Sequence, residues 1–344
     1  MKKLLVRGGS GSSQLLVGES IDNLIAYIDP RRTVIVTDTT IEGLYRQRFP
    51  DCPTITIGLG EKIKTLDTVA KIYDQLVELE ADRSSFILGT GGGIVCDIAG
   101  FVASTYMRGL PFGFVATTLL AQVDASVGGK NGVNFGGYKN MVGVFNQPDF
   151  VICDMTVLQS LPVREILCGF AEIIKHGAIA DERMLDFLDA HQDDALRLDK
   201  AIVEYLVYRS VEIKAKVVTQ DEREKGERRK LNFGHTFGHA IEKLTGIPHG
   251  EAVGIGMVLA AKLSAKMGLL HDREAARLER IIAGYGLPVR PPVDLAAMLA
   301  AIRKDKKREG DLIHFVLLET LGRARVEELS FDELQAYMSS VATN

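Results

Sequence analysis

The sequence predicts an α/β domain with a mostly parallel sheet, followed by a mainly α-helical domain. Three observations carry that prediction. Short β-branched runs alternate with amphipathic stretches over residues 1–160, as βα units do. After Leu161-Pro162-Val163-Arg164-Glu165 the texture turns Ala/Leu/Ile-rich with helical period. The 344 residues are also enough to close two medium cores. The boundary therefore falls at 160, with the α/β domain over 1–160 and the helical domain over 161–344.

In order, the clearest strands are TVIVTD (33–38), TITIGL (54–59) and SSFILGT (84–90). Between the last two, residues 65–80 repeat Val69, Ile72, Tyr73, Leu76 and Leu79 at three- and four-residue steps, which makes a core-facing helical stripe. In the second half, helical patterns cover 168–178, 182–190, 199–217, 234–245 and 250–268. LIHFVLL and RARVEEL flank a glycine-containing turn at Glu319–Gly322 and predict a late hairpin, after which Ser330 caps a last helix.

Composition narrows the function. With 41 Lys+Arg against 45 Asp+Glu, the formal charge of −4 gives no overall basic field for nucleic acid. Any anion site must be built locally. Cys52, Cys96, Cys153 and Cys168 stand far apart with no CxxC, which argues against a thiolate zinc site or a disulfide scaffold and fits a reducing cytoplasm. The apolar stretch in MKKLLVRGGS is too short for a signal sequence, and no segment reaches the length of a membrane span.

Three local patterns suggest chemistry. Gly89-Thr90-Gly91-Gly92-Gly93 follows a strand and precedes a helix, so it reads as a phosphate cradle of bare amides or as a plain tight turn. Asp38 ends a strand, where it could bind ribose hydroxyls or cap the next helix. His235, His239 and His249 fall within fifteen residues. They read either as ligands of a divalent metal, with Glu172 as a candidate carboxylate, or as helical histidines with ordinary partners. The i, i+4 pair His235/His239 lacks the Glu of HExxH, which excludes a zincin. Lys130, Lys139, Lys175, Lys214, Arg228, Lys306 and Lys307 suit an anionic small-molecule substrate, and Lys130 and Lys175 are expected to leave bulk water.

The stretches GGGIVCDIAGFVASTYMRG, ATTLLAQVDASVGGKNGVN, YKNMVGVF, LPVREILCGFAEIIKHG, LNFGHTFGHAIE and HGEAVGIGM closely resemble the motifs of the 3-dehydroquinate synthase family, in the same order. The resemblance implies an N-terminal NAD-binding domain, a C-terminal metal- and substrate-binding domain, a cleft between them, a homodimer, and a fold shared with glycerol dehydrogenases. It implies NAD and one divalent metal, zinc or alternatively cobalt, as cofactors. Glu172, His235 and His249 resemble the metal ligands, and His239 a proton-transfer residue near the substrate phosphate. Asp38, Glu61, Lys64, Gly92, Gly93, Asp97, Thr117, Thr118, Leu120 and Lys139 resemble NAD contacts, with Asp124 near the nicotinamide and Ser160 where the family usually has Thr. Lys130, Asn140, Lys175, Lys214, Glu224, Arg228, Asn232 and one of Lys306 and Lys307 resemble substrate-site residues, and Arg108 would reach the neighbouring subunit's phosphate. Asn131, Phe135-Gly136-Gly137-Tyr138 and Val157 depart from the family pattern.

The implied reaction converts a small anionic sugar phosphate, 3-deoxy-D-arabino-heptulosonate 7-phosphate, to 3-dehydroquinate and phosphate in the shikimate pathway. The alternatives are a cyclase for a substrate without a carboxylate, a polyol dehydrogenase that releases NADH, or a non-catalytic relative.

Overall fold

In the computed structural model, which describes residues 1–306 and 312–342, the β-branched runs of the first half form one seven-stranded sheet. In chain order the elements are β1 (Lys2–Gly8), β2 (Gly11–Val17), β3 (Thr33–Asp38), α1 (Thr39–Tyr45), β4 (Thr54–Ile57), α2 (Leu66–Glu78), β5 (Phe86–Gly91), α3 (Gly93–Thr105) and β6 (Phe112–Ala116). They are followed by β7 (Lys130–Phe135), β8 (Tyr138–Phe145) and β9 (Phe150–Cys153). The sheet order is β1-β2-β9-β6-β5-β3-β4; only β1 and β2 pair antiparallel. Every residue of β6 and β9 is buried, as expected of parallel strands covered on both faces. Leu16, Ile35, Leu88, Val115 and Ile152 anchor the core on one face, against Ile21, Leu24 and Tyr45.

The expected helix at 65–80 is α2, whose buried side chains are Val69, Ile72 and Leu76. Leu79, expected on the same stripe, is exposed because the helix ends at Glu78. Two antiparallel hairpins were not expected from the sequence. In the second, β7–β8, the turn residues Gly136 and Gly137 have φ of 59° and 81°, the left-handed pair that tight hairpins require. The solvent-facing strand β8 carries no apolar alternation to betray it.

The second half contains α4 (Val163–Ala180), α5 (Glu182–Ala190), α6 (Gln192–Leu196), α7 (Lys200–Gln220), α8 (His235–Thr245), α9 (His249–Lys266), α10 (Asp272–Gly284) and α11 (Leu295–Lys306). A hairpin of β10 (Leu312–Thr320) and β11 (Arg323–Ser330) and a last helix, α12 (Phe331–Ala342), complete it. The cap expected at Ser330 is reciprocal: Glu333 N–H donates to Ser330 Oγ, and Glu333 Oε2 accepts from the N–H of Ser330. No helix among the described residues is long and apolar enough to cross a membrane.

The chain divides into two compact units, Met1–Pro162 with Val203–Arg223, and Val163–Ile202 with Glu224–Asn344. Most of α7 thus groups with the sheet. The Lys2 ammonium lies 4.7 Å from the ring centre of Tyr208 on α7, and Glu222, just beyond that helix, accepts from Ser10 N–H at the β1–β2 turn.

Candidate functional site

In the helical unit, close approach of backbones brings the metal-type residues together. A Cβ on Gly256 would lie 2.0 Å from Gly234 O, and one on Gly250 would lie 2.3 Å from the Cα of Cys168. Glycine therefore lets α9 lie against the start of α8 and against α4. Gly234, with φ of 79°, turns the chain into α8, so that His235 opens that helix as His249 opens α9.

The Nε2 atoms of His235 and His249 each lie 3.8 Å from Oε1 of Glu172, which is completely buried on α4. One ligand atom from each of the three residues falls within 4.8 Å of the others. The far nitrogens are tied down: His235 Nδ1 is 3.2 Å from Phe233 O, and His249 Nδ1 is 3.1 Å from Glu242 Oε2. Such partners fix the tautomer and aim Nε2 inward. Among the described residues neither carboxylate oxygen of Glu172 has a hydrogen-bond partner, although the Lys175 ammonium ion-pairs with Oε2. A buried carboxylate oxygen facing two imidazole nitrogens is a donor set that fits a divalent metal.

The two imidazoles shift in opposite directions. Burial, with Lys175, His249 and His239 nearby, holds the His235 pKa well below its ordinary value. For His249 burial acts in the same sense, but the hydrogen bond to Glu242 and the charge of Glu172 outweigh it and raise the pKa. The His239 ring centre stands 5.2 Å from that of His235 and 6.0 Å from that of His249. A cavity of about 690 Å³ opens beside them, with His235, His239, Asn232, Glu224, Lys243 and His314 in its wall. Asn232 Nδ2 donates to Glu224 Oε1 at 2.5 Å, and Arg228 is buried nearby in sequence.

The sheet unit gathers a second set. Strand β5 runs through Gly91, so the glycine loop contracts to the Gly91–Gly93 junction. A Cβ on Gly92 would meet Thr118 Cγ2 at 3.0 Å, and one on Gly93 would meet Ala125 Cβ at 2.8 Å. No side chain caps α3, which leaves its first amides for an anion. Thr117 N–H donates to Gly91 O, and Thr118 Oγ1 accepts from Ala121 N–H in the turn that leads from Leu120 to Asp124.

Lys64, buried, ion-pairs with Asp97 and donates to Asn140 Oδ1 at 2.5 Å. Burial pushes the Asp97 pKa up to about 6, against the opposing pull of Lys64. Lys214 Nζ lies 2.5 Å from Asp124 Oδ1. Asp38 Oδ1 accepts from the N–H groups of Thr40 and Ile41 and so caps α1. Ser160 Oγ lies 2.6 Å from the Tyr45 hydroxyl. Of the two lysines expected to leave bulk water, Lys175 is 1% exposed, whereas Lys130, at the start of β7, is exposed, as are Lys139 and Arg108. Lys306 ends α11, and Lys307 lies outside the described residues. Sequence reasoning missed Glu242, the partner of His249, and Asn134, which joins Glu61 to Asn140.

Family models for the N- and C-terminal parts of 3-dehydroquinate synthase match residues 54–168 and 169–308. The 3-dehydroquinate synthase of Halorhodospira halophila is 42% identical over 337 residues, covering 95% of each chain. The chain belongs to the 3-dehydroquinate synthase family. Among solved structures, 2-epi-5-epi-valiolone synthase from Streptomyces hygroscopicus subsp. jinggangensis, with NAD+ and Zn2+ bound, is 28% identical with a TM-score of 0.82 and 91% of each chain covered. A 2-deoxy-scyllo-inosose synthase complexed with carbaglucose-6-phosphate, NAD+ and Co2+ is 25% identical, with a TM-score of 0.86 and 99% of each chain covered. The predicted fold class, a parallel-rich NAD-binding type of sheet with a helical C-terminal part, agrees with these structures.

Proposed function

We propose that this protein converts 3-deoxy-D-arabino-heptulosonate 7-phosphate to 3-dehydroquinate and phosphate, a carbon–oxygen lyase reaction of the shikimate pathway. The reaction proceeds by transient oxidation, phosphate elimination, reduction and intramolecular aldol closure. The observation that carries this reading is the arrangement of His235 and His249 around a buried oxygen of Glu172 that has no hydrogen bond among the described residues, in a chain of this family.

Glu172, His235 and His249 would hold the divalent metal, zinc or cobalt, and the NAD set assigned by resemblance, from Asp38 to Ser160, would hold the dinucleotide across the sheet unit. When bound, NAD supplies a reversible hydride acceptor and the metal a Lewis acid for vicinal hydroxyls. The chain's own residues supply position and charge. The uncapped first turn of α3 offers amides to the pyrophosphate. Lys175 balances the charge of Glu172, which otherwise has no hydrogen bond in the interior. His239, in the wall of the cavity, moves a proton at a phosphate oxygen of the substrate. By resemblance to the family, Lys130, Lys214, Arg228 and one of Lys306 and Lys307 are assigned to the carboxylate and phosphate of the substrate, and Asn140, Glu224 and Asn232 to its orientation. Each charge-assisted hydrogen bond contributes about 1.5–3 kcal/mol. Holding the substrate in one conformation supplies much of the rate of the closing aldol step. A cytoplasmic homodimer, in which Arg108 reaches the partner's substrate phosphate, completes the proposal.

The test is phosphate release from the heptulosonate phosphate with catalytic NAD. Turnover without net NADH is expected, lost on chelation and restored by zinc, and Glu172→Gln or His235→Ala should abolish tight metal binding. Full turnover of metal-free protein overturns the reading. The solved 2-deoxy-scyllo-inosose synthase, whose bound carbaglucose-6-phosphate has no carboxylate, supports one second reading, a substrate without a carboxylate. Phosphate release from such a sugar phosphate, and none from the heptulosonate, would establish it.

A further inference from the structure

We infer that Asn134 is the positioning residue that couples the NAD-facing turn at 61–65 to the substrate-facing Asn140. It sits next to the end of β7, where the register with β8 breaks between Val133 and Phe135, so its side chain is not committed to the face of a regular ladder. Its Nδ2 donates to Glu61 Oε1 at 2.7 Å, and its Oδ1 accepts from the Asn140 N–H at 2.8 Å. Its own N–H donates to Lys64 O at 2.8 Å. Lys64 Nζ in turn donates to Asn140 Oδ1 at 2.5 Å and ion-pairs with Asp97. The bonds close a ring through Asn134, Asn140 and Lys64, and Lys64 N–H donates to Glu61 O at 3.1 Å, which ties Glu61 to both Asn134 and Lys64.

The ring matters because of the backbone of Asn140. Its φ of 53° lies in the left-handed region, which Asn tolerates better than most residues but does not prefer. The Asn134 side-chain carbonyl holds the Asn140 N–H in that conformation, while Lys64 holds the side chain of the same residue. Asn134 needs both ends of an amide: Glu61 requires a donor and the Asn140 N–H an acceptor. A carboxylate at 134 keeps the second contact and sets like charges against each other in the first. A methyl group loses both.

This inference rests on the functional reading above, in which Glu61 and Lys64 contact NAD and Asn140 contacts substrate. The experiment uses the zinc-loaded enzyme and compares wild type, Asn134→Asp, Glu61→Gln and the double variant. It measures the Kd for NAD, and kcat and KM for the heptulosonate phosphate. Asn134→Asp is expected to raise the NAD Kd and the substrate KM together by about tenfold, as the loss of a hydrogen bond plus a like-charge contact implies, with a smaller change in kcat. In the double variant the amide introduced at position 61 can donate to the carboxylate introduced at position 134, so both constants should return to those of Glu61→Gln alone. A purely structural asparagine would give no such recovery. Unchanged constants in Asn134→Asp, or additive losses in the double variant, overturn the inference. If Asn134→Asp does not fold, Asn134→Ala in the same assays decides, by raised or unchanged constants. Failure of the wild type to bind NAD or turn over the heptulosonate defeats the functional reading first, and the coupling with it.

Discussion

Glu242 holds His249 from behind: its Oε2 is 3.1 Å from Nδ1, while Nε2 of the same ring faces Glu172 Oε1 at 3.8 Å. A carboxylate behind a ligating imidazole fixes the ring and raises its basicity, and removing such a partner typically weakens metal binding by about 10–100-fold. Glu242→Ala should therefore bind zinc more weakly by that factor in chelator competition and recover much of its turnover at saturating zinc. Unchanged zinc affinity would remove Glu242 from the site.

Lys175 and Glu172 form a buried ion pair one helical turn apart, at 1% and 0% exposure. Removing one partner of such a pair leaves an uncompensated charge, at a cost of about 3–5 kcal/mol. A metal bound to Glu172 would compensate that charge instead. Lys175→Met should thus lower the melting temperature strongly in metal-free protein and much less with zinc present. Equal losses in both states would show that Glu172 does not meet the metal.

Much of this was legible in the sequence, for physical reasons that differ between elements. TVIVTD and SSFILGT read as strands because each carries a continuous β-branched or apolar run, over residues 34–36 and 86–88, as a parallel strand covered on both faces requires. Strand β8 did not, because it faces solvent and has no buried face to impose a period. The candidate metal set was visible in part as a cluster of histidines, since His235 and His249 open consecutive helices joined by a short turn, while the choice of Glu172, His235 and His249 came from the family resemblance. Glu242 and Asn134 carried no signal, because their roles come from a tertiary contact and from a break in strand register. At Asp38 sequence alone left two roles open, and the structure shows the cap.

Gly250 is the packing point that sets the place of His249. A Cβ there would fall 2.3 Å from the Cα of Cys168, which is backbone and cannot rotate away. Gly250→Ala must push α9 off α4 and carry the neighbouring His249 with it. An overpacking cost of about 1–3 kcal/mol in a denaturant titration, together with a clear loss of zinc affinity, is expected. Destabilisation with normal zinc affinity would mean that His249 is positioned from elsewhere.

Asp97 is expected to give NAD binding a pH dependence. Burial raises its pKa to about 6, and the Lys64 ammonium acts the other way. Because the fold raises this pKa from 3.8, the carboxyl's contribution to stability is complete below that value and is lost as pH rises through about 6. The functional sign is opposite: only the ionised form pairs with Lys64, the lysine that also holds Asn140. Acidification through about pH 6 should therefore loosen Lys64 and weaken NAD binding, while the melting temperature of wild type relative to Asp97→Asn rises. NAD affinity of Asp97→Asn should be weaker at neutral pH and flat across this range. A wild-type affinity that is equally flat would mean that Asp97 is already ionised well below pH 6, and that the Lys64 ammonium, rather than burial, governs its titration.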